Sequence, residues 1–275
     1  MFFLCLVLVL QGATPLQKPA TDAQFRKAVW STDLKGVRSA LAAGADVNQL
    51  VQHGGPDEFV TREPGQKNAV MLTALHGSPA ILRLLIKAGA DVNRVNDNGD
   101  TALSLAHDCD ECIHVLLAAG ADVHGKPATQ LMESLLDRYH DLSWYNSPGQ
   151  RRTDKIRALR AIEFDFRDLL ARGADPNTRF EYGVTLLYRC AAMYETGLLS
   201  VVLHHGGNPN LQDDSGETPL WSAVDTWEPR VIRVLLRAHA DVNVRNHRGE
   251  TVLARAQWTE RIELIEPLVR AGAHL

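Results

Sequence analysis

From about residue 23 onward, apolar residues fall in short blocks that recur in a fixed order, with polar turns between them. One block shows the unit clearly. Gly216 allows the positive φ of a tight turn, Thr218 suits a helix N-cap, and Pro219 suits the first helical position, where no amide donor is needed. Leu220 and Ala223 then share one face of a short helix. Val231, Ile232, Val234, Leu235 and Leu236 predict a second, more apolar helix, which the phrase HADVN ends. Upstream, Leu131, Met132, Leu135 and Leu136 place a helix over Ala128–Tyr139. A polar break follows at Asn146–Gln150, and a long helix is expected over Ile156–Leu170.

The turn phrase repeats. It is AGADVN at Ala43–Asn48 and Ala88–Asn93, AGADVH at Ala119–His124, RGADPN at Arg172–Asn177, HGGNPN at His205–Asn210 and AHADVN at Ala238–Asn243, with a last AGAH from Ala271. The second residues of these phrases are Gly44, Gly89, Gly120, Gly173, Gly206, His239 and Gly272, so the spacings are 45, 31, 53, 33, 33 and 33. A second phrase keeps step: GDTALSLA from Gly99, GVTLLYRC from Gly183, GETPLWSA from Gly216 and GETVLARA from Gly249. A fixed period of this length marks a chain built from stacked units.

The 33-residue period, GETPLWSA, the VIRVLLR helix and the GADVN turn together resemble the ankyrin repeat, over about residues 23–275. The resemblance implies an all-α repeat solenoid of about seven units: stacked antiparallel helix pairs with β-hairpin fingers. The first and last units would act as caps, with Lys27, Arg38, Arg261 and Glu263 on otherwise exposed faces. The first spacing exceeds 33 by 12 residues, which fall near 49–68 among Gly54, Gly55, Pro56, Pro64 and Gly65 and read as an enlarged loop. The third exceeds 33 by 20, and reads as one lengthened unit near 125–177.

Composition narrows the function. A net charge of -4 and a pI near 6.3 argue against non-specific nucleic-acid binding. Four cysteines in 275 residues are too few for a disulfide scaffold. Phe2–Leu10 reads FFLCLVLVL, too short to span a bilayer, which takes about 20 residues, but suited to the apolar core of a secretory signal. Small residues at Gly12 and Ala13 then predict a signal over residues 1–13, although no Lys or Arg precedes the run. The expected location is periplasmic or secreted, or cytoplasmic if the run is not a signal.

The stretch 107-HDCDECIH-114 holds a C-x-x-C pair. The repeat register lays Cys112 on Ile81 and Val231, a core position, and His114 on Arg83 and Arg233, a solvated one. His107 falls on His76 and Cys109 on Ser78, in the turn between helices. Packing is therefore the favoured reading. No second ligand pair supports zinc and no βαβ context supports a redox dithiol, while a Cys109–Cys112 disulfide stays open in an oxidising compartment. Cys190 takes the place of Ala106, Ala223 and Ala256, where helices pack closely.

No G-x-S-x-G, H-E-x-x-H, phosphate-loop or dinucleotide signature is present, so catalysis is not expected and no cofactor is implied. The expected role is recognition of another protein by a monomer, with no nucleic acid and no membrane span. An exported accessory or protective protein is the leading form. A metal- or thiol-responsive protein using Cys109 and Cys112, or a secreted effector that binds host proteins, is the alternative. Ankyrin-like chains bind through fingertips and the exposed ends of inner helices. Carried over by register, these are Asp97, Asn98, Asp100 and Asp108 in the third unit, and Glu181, Tyr182 and Met193 in the fifth. The sixth supplies Asp214, Ser215, Glu217, Asp225 and Thr226, and the seventh His247, Arg248, Glu250 and Trp258. Tyr182, Trp227 and Trp258 are candidate aromatic anchors.

Overall fold

The computed structural model describes residues 17–51, 66–144, 152–193, 196–260 and 262–274. The expected signal over 1–13, most of the enlarged loop near 49–68, the break at Asn146–Gln150 and Arg261 lie outside the described residues. The chain forms two compact units, 1–121 and 122–275.

The first unit holds α1 (Gln17–Trp30), α2 (Leu34–Ala42), β1 (Leu50–Val51), β2 (Lys67–Asn68), α3 (Ala69–Leu75), α4 (Pro79–Lys87) and α5 (Asp110–Ala118). The second holds α6 (Gly125–Trp144), α7 (Arg152–Ala171), a 3-10 turn at Glu181–Gly183, α8 (Leu186–Ala191) and α9 (Thr196–His204). It continues with α10 (Pro219–Asp225), α11 (Pro229–Arg237), α12 (Val252–Trp258) and α13 (Ile262–Arg270). Consecutive helices pair within each unit. In the second, α8, α10 and α12 form an inner layer, and α7, α9, α11 and α13 an outer one.

The two layers differ in how their sequences bury. In α10, Pro219, Leu220, Trp221, Ser222, Ala223 and Val224 are all buried, so packing on every side sustains a helix too short to persist alone. The outer α11 buries only Val231, Ile232 and Leu235 and leaves the rest to solvent, an amphipathic stripe. Asn68, Thr185 and Thr251 cap inner helices by accepting from the backbone amides of Met71, Tyr188 and Ala254. Thr218 sits at the same place but does not cap: the Trp221 amide donates to the Thr218 carbonyl at 2.9 Å, and the buried hydroxyl has no partner.

Outer helices end on left-handed residues, glycine at Gly44, Gly89, Gly120, Gly173, Gly206 and Gly272. His239 takes this conformation at φ 61°, where a side chain is strained. Beyond them asparagines tie loop to loop. Asn210, for example, accepts from the Asp241 amide at 2.7 Å and donates to the His239 carbonyl at 3.3 Å.

Three expectations change. The fingers are mostly not β-hairpins: among the described residues, regular pairing is limited to β1 with β2, plus a single bridge between Arg179 and Thr185. The remaining fingertips are five-residue turns, too short for a ladder, such as Asp213 to Glu217, closed by an amide–carbonyl bond of 2.9 Å. The segment Thr101–Ala106 forms turns rather than an inner helix. From Thr218 to the start of α11 is 11 residues, whereas from Thr101 to the start of α5 is 9, so the short 31-residue spacing takes its missing pair from the inner helix. Ser104 closes the shortened turn, its hydroxyl accepting from the Thr101 amide and donating to the Thr101 carbonyl. Finally, the helix expected over Ala128–Tyr139 runs the full length of α6, and its partner the full length of α7.

Candidate interaction face

Three fingertips are each built by one short polar side chain, whereas the Glu181–Gly183 turn has Phe180 at that place and is closed by backbone hydrogen bonds. Asn96, Asp213 and Asn246 each accept, through Oδ1, from the amides two and four residues on, at 2.8–3.0 Å. This is an Asx turn, followed in each case by a left-handed glycine at Gly99, Gly216 or Gly249. The loop is fixed before any partner arrives.

In the second unit the fingertips are also stitched together. The Asp214 amide donates to the Tyr182 carbonyl at 3.0 Å, and the His247 amide to the Ser215 carbonyl at 2.9 Å. Arg179 reaches the Gln212 carbonyl at 2.8 Å, and Gln212 reaches the Arg245 carbonyl at 3.1 Å. Glu181, Tyr182, Asp214, Ser215, His247, Arg248 and Glu250 therefore stand in one connected row, all exposed.

The ends of the inner helices carry a second set. Arg255 pairs with Asp225 at 2.8 Å and lies over the Trp258 ring, 5.4 Å from its centroid. The hydrogen bond that Arg255 donates to Asp225 is the main reason that the Arg255 pKa rises. Thr226 turns its hydroxyl back onto the Ser222 carbonyl at 2.9 Å. Tyr182 is 79% exposed, Trp258 78% and Trp227 53%, so all three candidate anchors are exposed aromatic side chains.

Two candidate residues are internal. Met193 is a correction: it is 3% exposed, because α8 ends at Ala191 and the chain tucks the next apolar side chain inward. Glu217 is half-buried, receiving Asn246, Arg248 and the hydroxyl of Tyr188. Burial, then the charges of Glu217, Asp213 and Asp225, raise the Tyr188 pKa, so this phenol stays protonated. Asp97, Asn98, Asp100 and Asp108 lie in the first unit, the first three on the Asn96 fingertip and Asp108 beside His107 at 3.2 Å.

The C-x-x-C pair resolves as a disulfide between Cys109 and Cys112. Cys112 is fully buried on α5, and Cys109 sits at its N-cap, accepting from the Cys112 amide at 3.2 Å. Among the described residues no three His, Cys, Asp or Glu side chains converge as a metal-ligand group. Cys190 is buried, and burial pushes its thiol up to about 12, so it is no nucleophile at neutral pH.

A cavity of about 290 Å³ went unread in the sequence. It is lined by residues in or beside α6, the 3-10 turn and α8, among them Glu133, Phe180, Arg189 and Met193. Its one legible signal is Arg189, which stands a repeat length before Ser222 and two before Arg255.

Comparison with known proteins follows this geometry. The family model for ankyrin repeats (3 copies) matches residues 27–126, 159–246 and 187–275. E3 ubiquitin-protein ligase KEG of Arabidopsis thaliana is 29% identical over 190 residues; the match covers 66% of this chain but only 10% of that protein. Among solved structures, the human ASB11 ankyrin repeat domain aligns with TM-score 0.60 and 19% identity, over 91% of this chain and 98% of that one. The Bcl-3 ankyrin repeat domain aligns with TM-score 0.61 and 20% identity, over 90% and 97%. An ankyrin repeat domain from Acinetobacter baumannii AYE aligns with TM-score 0.58 and 22% identity, over 74% and 98%. These structural likenesses carry the fold.

Proposed function

The chain belongs to the ankyrin-repeat family, whose repeats generally mediate protein–protein interaction, and on that premise we propose that it is an exported, non-catalytic binding protein. Its binding face is the fingertip row and inner-helix ends of the second unit. The observation that carries this reading is the stitched row itself. A fingertip surface already hydrogen-bonded into one piece loses little conformational entropy on binding, and Tyr182, and Trp258 beneath the Arg255 guanidinium, stand exposed beside it as rigid aromatic groups.

Two observations support export. Phe2–Leu10 has the apolar character of a signal core, and the Cys109–Cys112 disulfide suits an oxidising compartment. No described helix is long and apolar enough to cross a membrane. The partner is another protein of the same compartment, which this chain serves as an accessory or protective factor.

Affinity capture from the native compartment tests both parts, using the wild type beside a Tyr182→Ala, Trp258→Ala double variant. A protein retained by the first and lost by the second is the expected partner. N-terminal sequencing of the same preparation should find a start just after Gly12 or Ala13. An intact Met1 on soluble cytoplasmic protein would overturn export.

A further inference from the structure

We propose that the cavity between α6, the Glu181–Gly183 turn and α8 receives a basic side chain, lysine or arginine, presented by the protein partner. The inference rests on the binding role argued above and adds the chemistry of the partner.

Size comes first. A cavity of about 290 Å³ lies at the lower limit of small-molecule sites, which begin at about 300 Å³, and suits a single long side chain. Its floor is apolar: Phe180, Val184, Ala192 and the buried Met193. Such a floor holds the methylene stem of a lysine or arginine as well as it holds a leucine.

Charge then separates those occupants. Among the described residues, Arg189 is the only arginine or lysine lining the cavity, and it is already engaged. It pairs with Glu133 at 3.3 Å and with Asp137 at 2.5 Å, and its guanidinium lies 5.3 Å from the Phe180 ring centroid. Among the described lining residues, Glu133 and Glu181 bring two negative charges against the one of Arg189, an excess of one. His140 faces the Asp141 carboxylate at 3.8 Å, and the Tyr188 hydroxyl is turned to Glu217, so neither adds net positive charge to the lining. A neutral apolar side chain would fill the floor and leave that excess beside a dry surface. An acidic one would add to it. A basic side chain satisfies floor and rim together, its head meeting Glu181, which is exposed, and the open side of Glu133.

The test uses the full chain with 13C-methyl methionine and follows the Met193 methyl signal. The probes are N-acetyl-arginine amide, N-acetyl-lysine amide, N-acetyl-norleucine amide and N-acetyl-glutamate amide. The two cations should shift the signal saturably, and norleucine should bind about fivefold more weakly, the factor that about 1 kcal/mol of ion pairing gives. Glutamate should give no shift. Glu133→Gln with Glu181→Gln should remove the preference for the cations. Glu181→Gln alone, at an exposed position, is the second variant should the pair perturb folding. Equal binding of norleucine and arginine, or no Met193 shift with any probe, would overturn the proposal. Because these probes need no partner, that failure leaves the fingertip reading standing. Conversely, loss of the fingertip reading shows only in partner binding by the Tyr182, Trp258 variant.

Discussion

The third and sixth repeats share a fingertip and differ behind it. Asn96 and Asp213 fold their turns with the same bonds, and Thr101 and Thr218 follow at the same distance. Behind Thr218 comes a seven-residue helix packed on every side; behind Thr101 come turns closed by Ser104, then a disulfide at the head of α5. Fingertip and inner helix are thus separable parts. The finger is specified by an Asx residue and a glycine, and the helix by the number of residues left before the outer helix must begin.

That separation has measurable consequences. The largest lies in α10. Trp221 is 1% exposed and its indole nitrogen has no partner, so the ring is held by packing. Trp221→Ala should cost about 4 kcal/mol in denaturant unfolding, because a well-packed helix leaves its cavity open. Leu103→Ala, in the turn segment of the third repeat, is also at a buried position and should cost about 2–3 kcal/mol, since a turn can settle into the void. Equal costs would mean that the two inner segments pack alike.

Next comes the disulfide. Its loop is short, so reduction should destabilise the first unit by about 2 kcal/mol or less. Cys112→Val keeps an apolar side chain at the buried position but loses the bond, and should fall in the same range. Thermal melts with and without reductant measure both. A loss well above that range, measured against the oxidised wild type in both cases, would assign the bond a larger role than closing its loop.

The free cysteine of the second unit behaves oppositely. Cys190 has its folded pKa raised from 9.0 to about 12, so the folded state keeps a proton that the unfolded state gives up. Its contribution is complete below pH 9 and is lost as pH rises toward 12, with a slope of about 1.4 kcal/mol per pH unit in that window. Comparing Cys190→Ala with wild type isolates that slope, and alanine suits the site because Ala223 and Ala256 occupy it in later repeats. Parallel stability curves for the two proteins above pH 9 would contradict it.

The smallest effect is at the turns after the outer helices. The third repeat ends on Gly120 at φ 83°, the sixth on His239 at φ 61°. His239→Gly should raise stability by up to about 1 kcal/mol by relieving the left-handed strain, and Gly120→Ala should lower it by a similar amount. Equilibrium unfolding of both variants reads the pair of signs.

Much of this was legible in the chain. The period, the turn phrase and the apolar blocks place the helix pairs, because each is a local pattern repeated in register. The core position of Cys112 follows from the same register. What the sequence hid depends on counting or on distant neighbours. The two residues missing from the third repeat remove a helix although its phrase GDTALSLA resembles the others. Met193 looked like an exposed helix end by register, but the chain after α8 turns it inward. The cavity draws on α6, in the repeat whose length departs most from the period, so register could not align Glu133 with Arg189.

The central claim is that the second unit binds through its fingertip side and leaves its outer helices idle. Binding of the captured partner should therefore be measured for two double variants, each checked for fold by circular dichroism. Tyr182→Ala with Trp258→Ala should weaken binding by about 2 kcal/mol or more, the level of interface hot spots. Arg233→Ala with Arg237→Ala, both exposed on the outer helix α11, should change it by less than about 0.5 kcal/mol. Wild-type binding by the first pair together with loss in the second would contradict the account and move the interface to the outer helices.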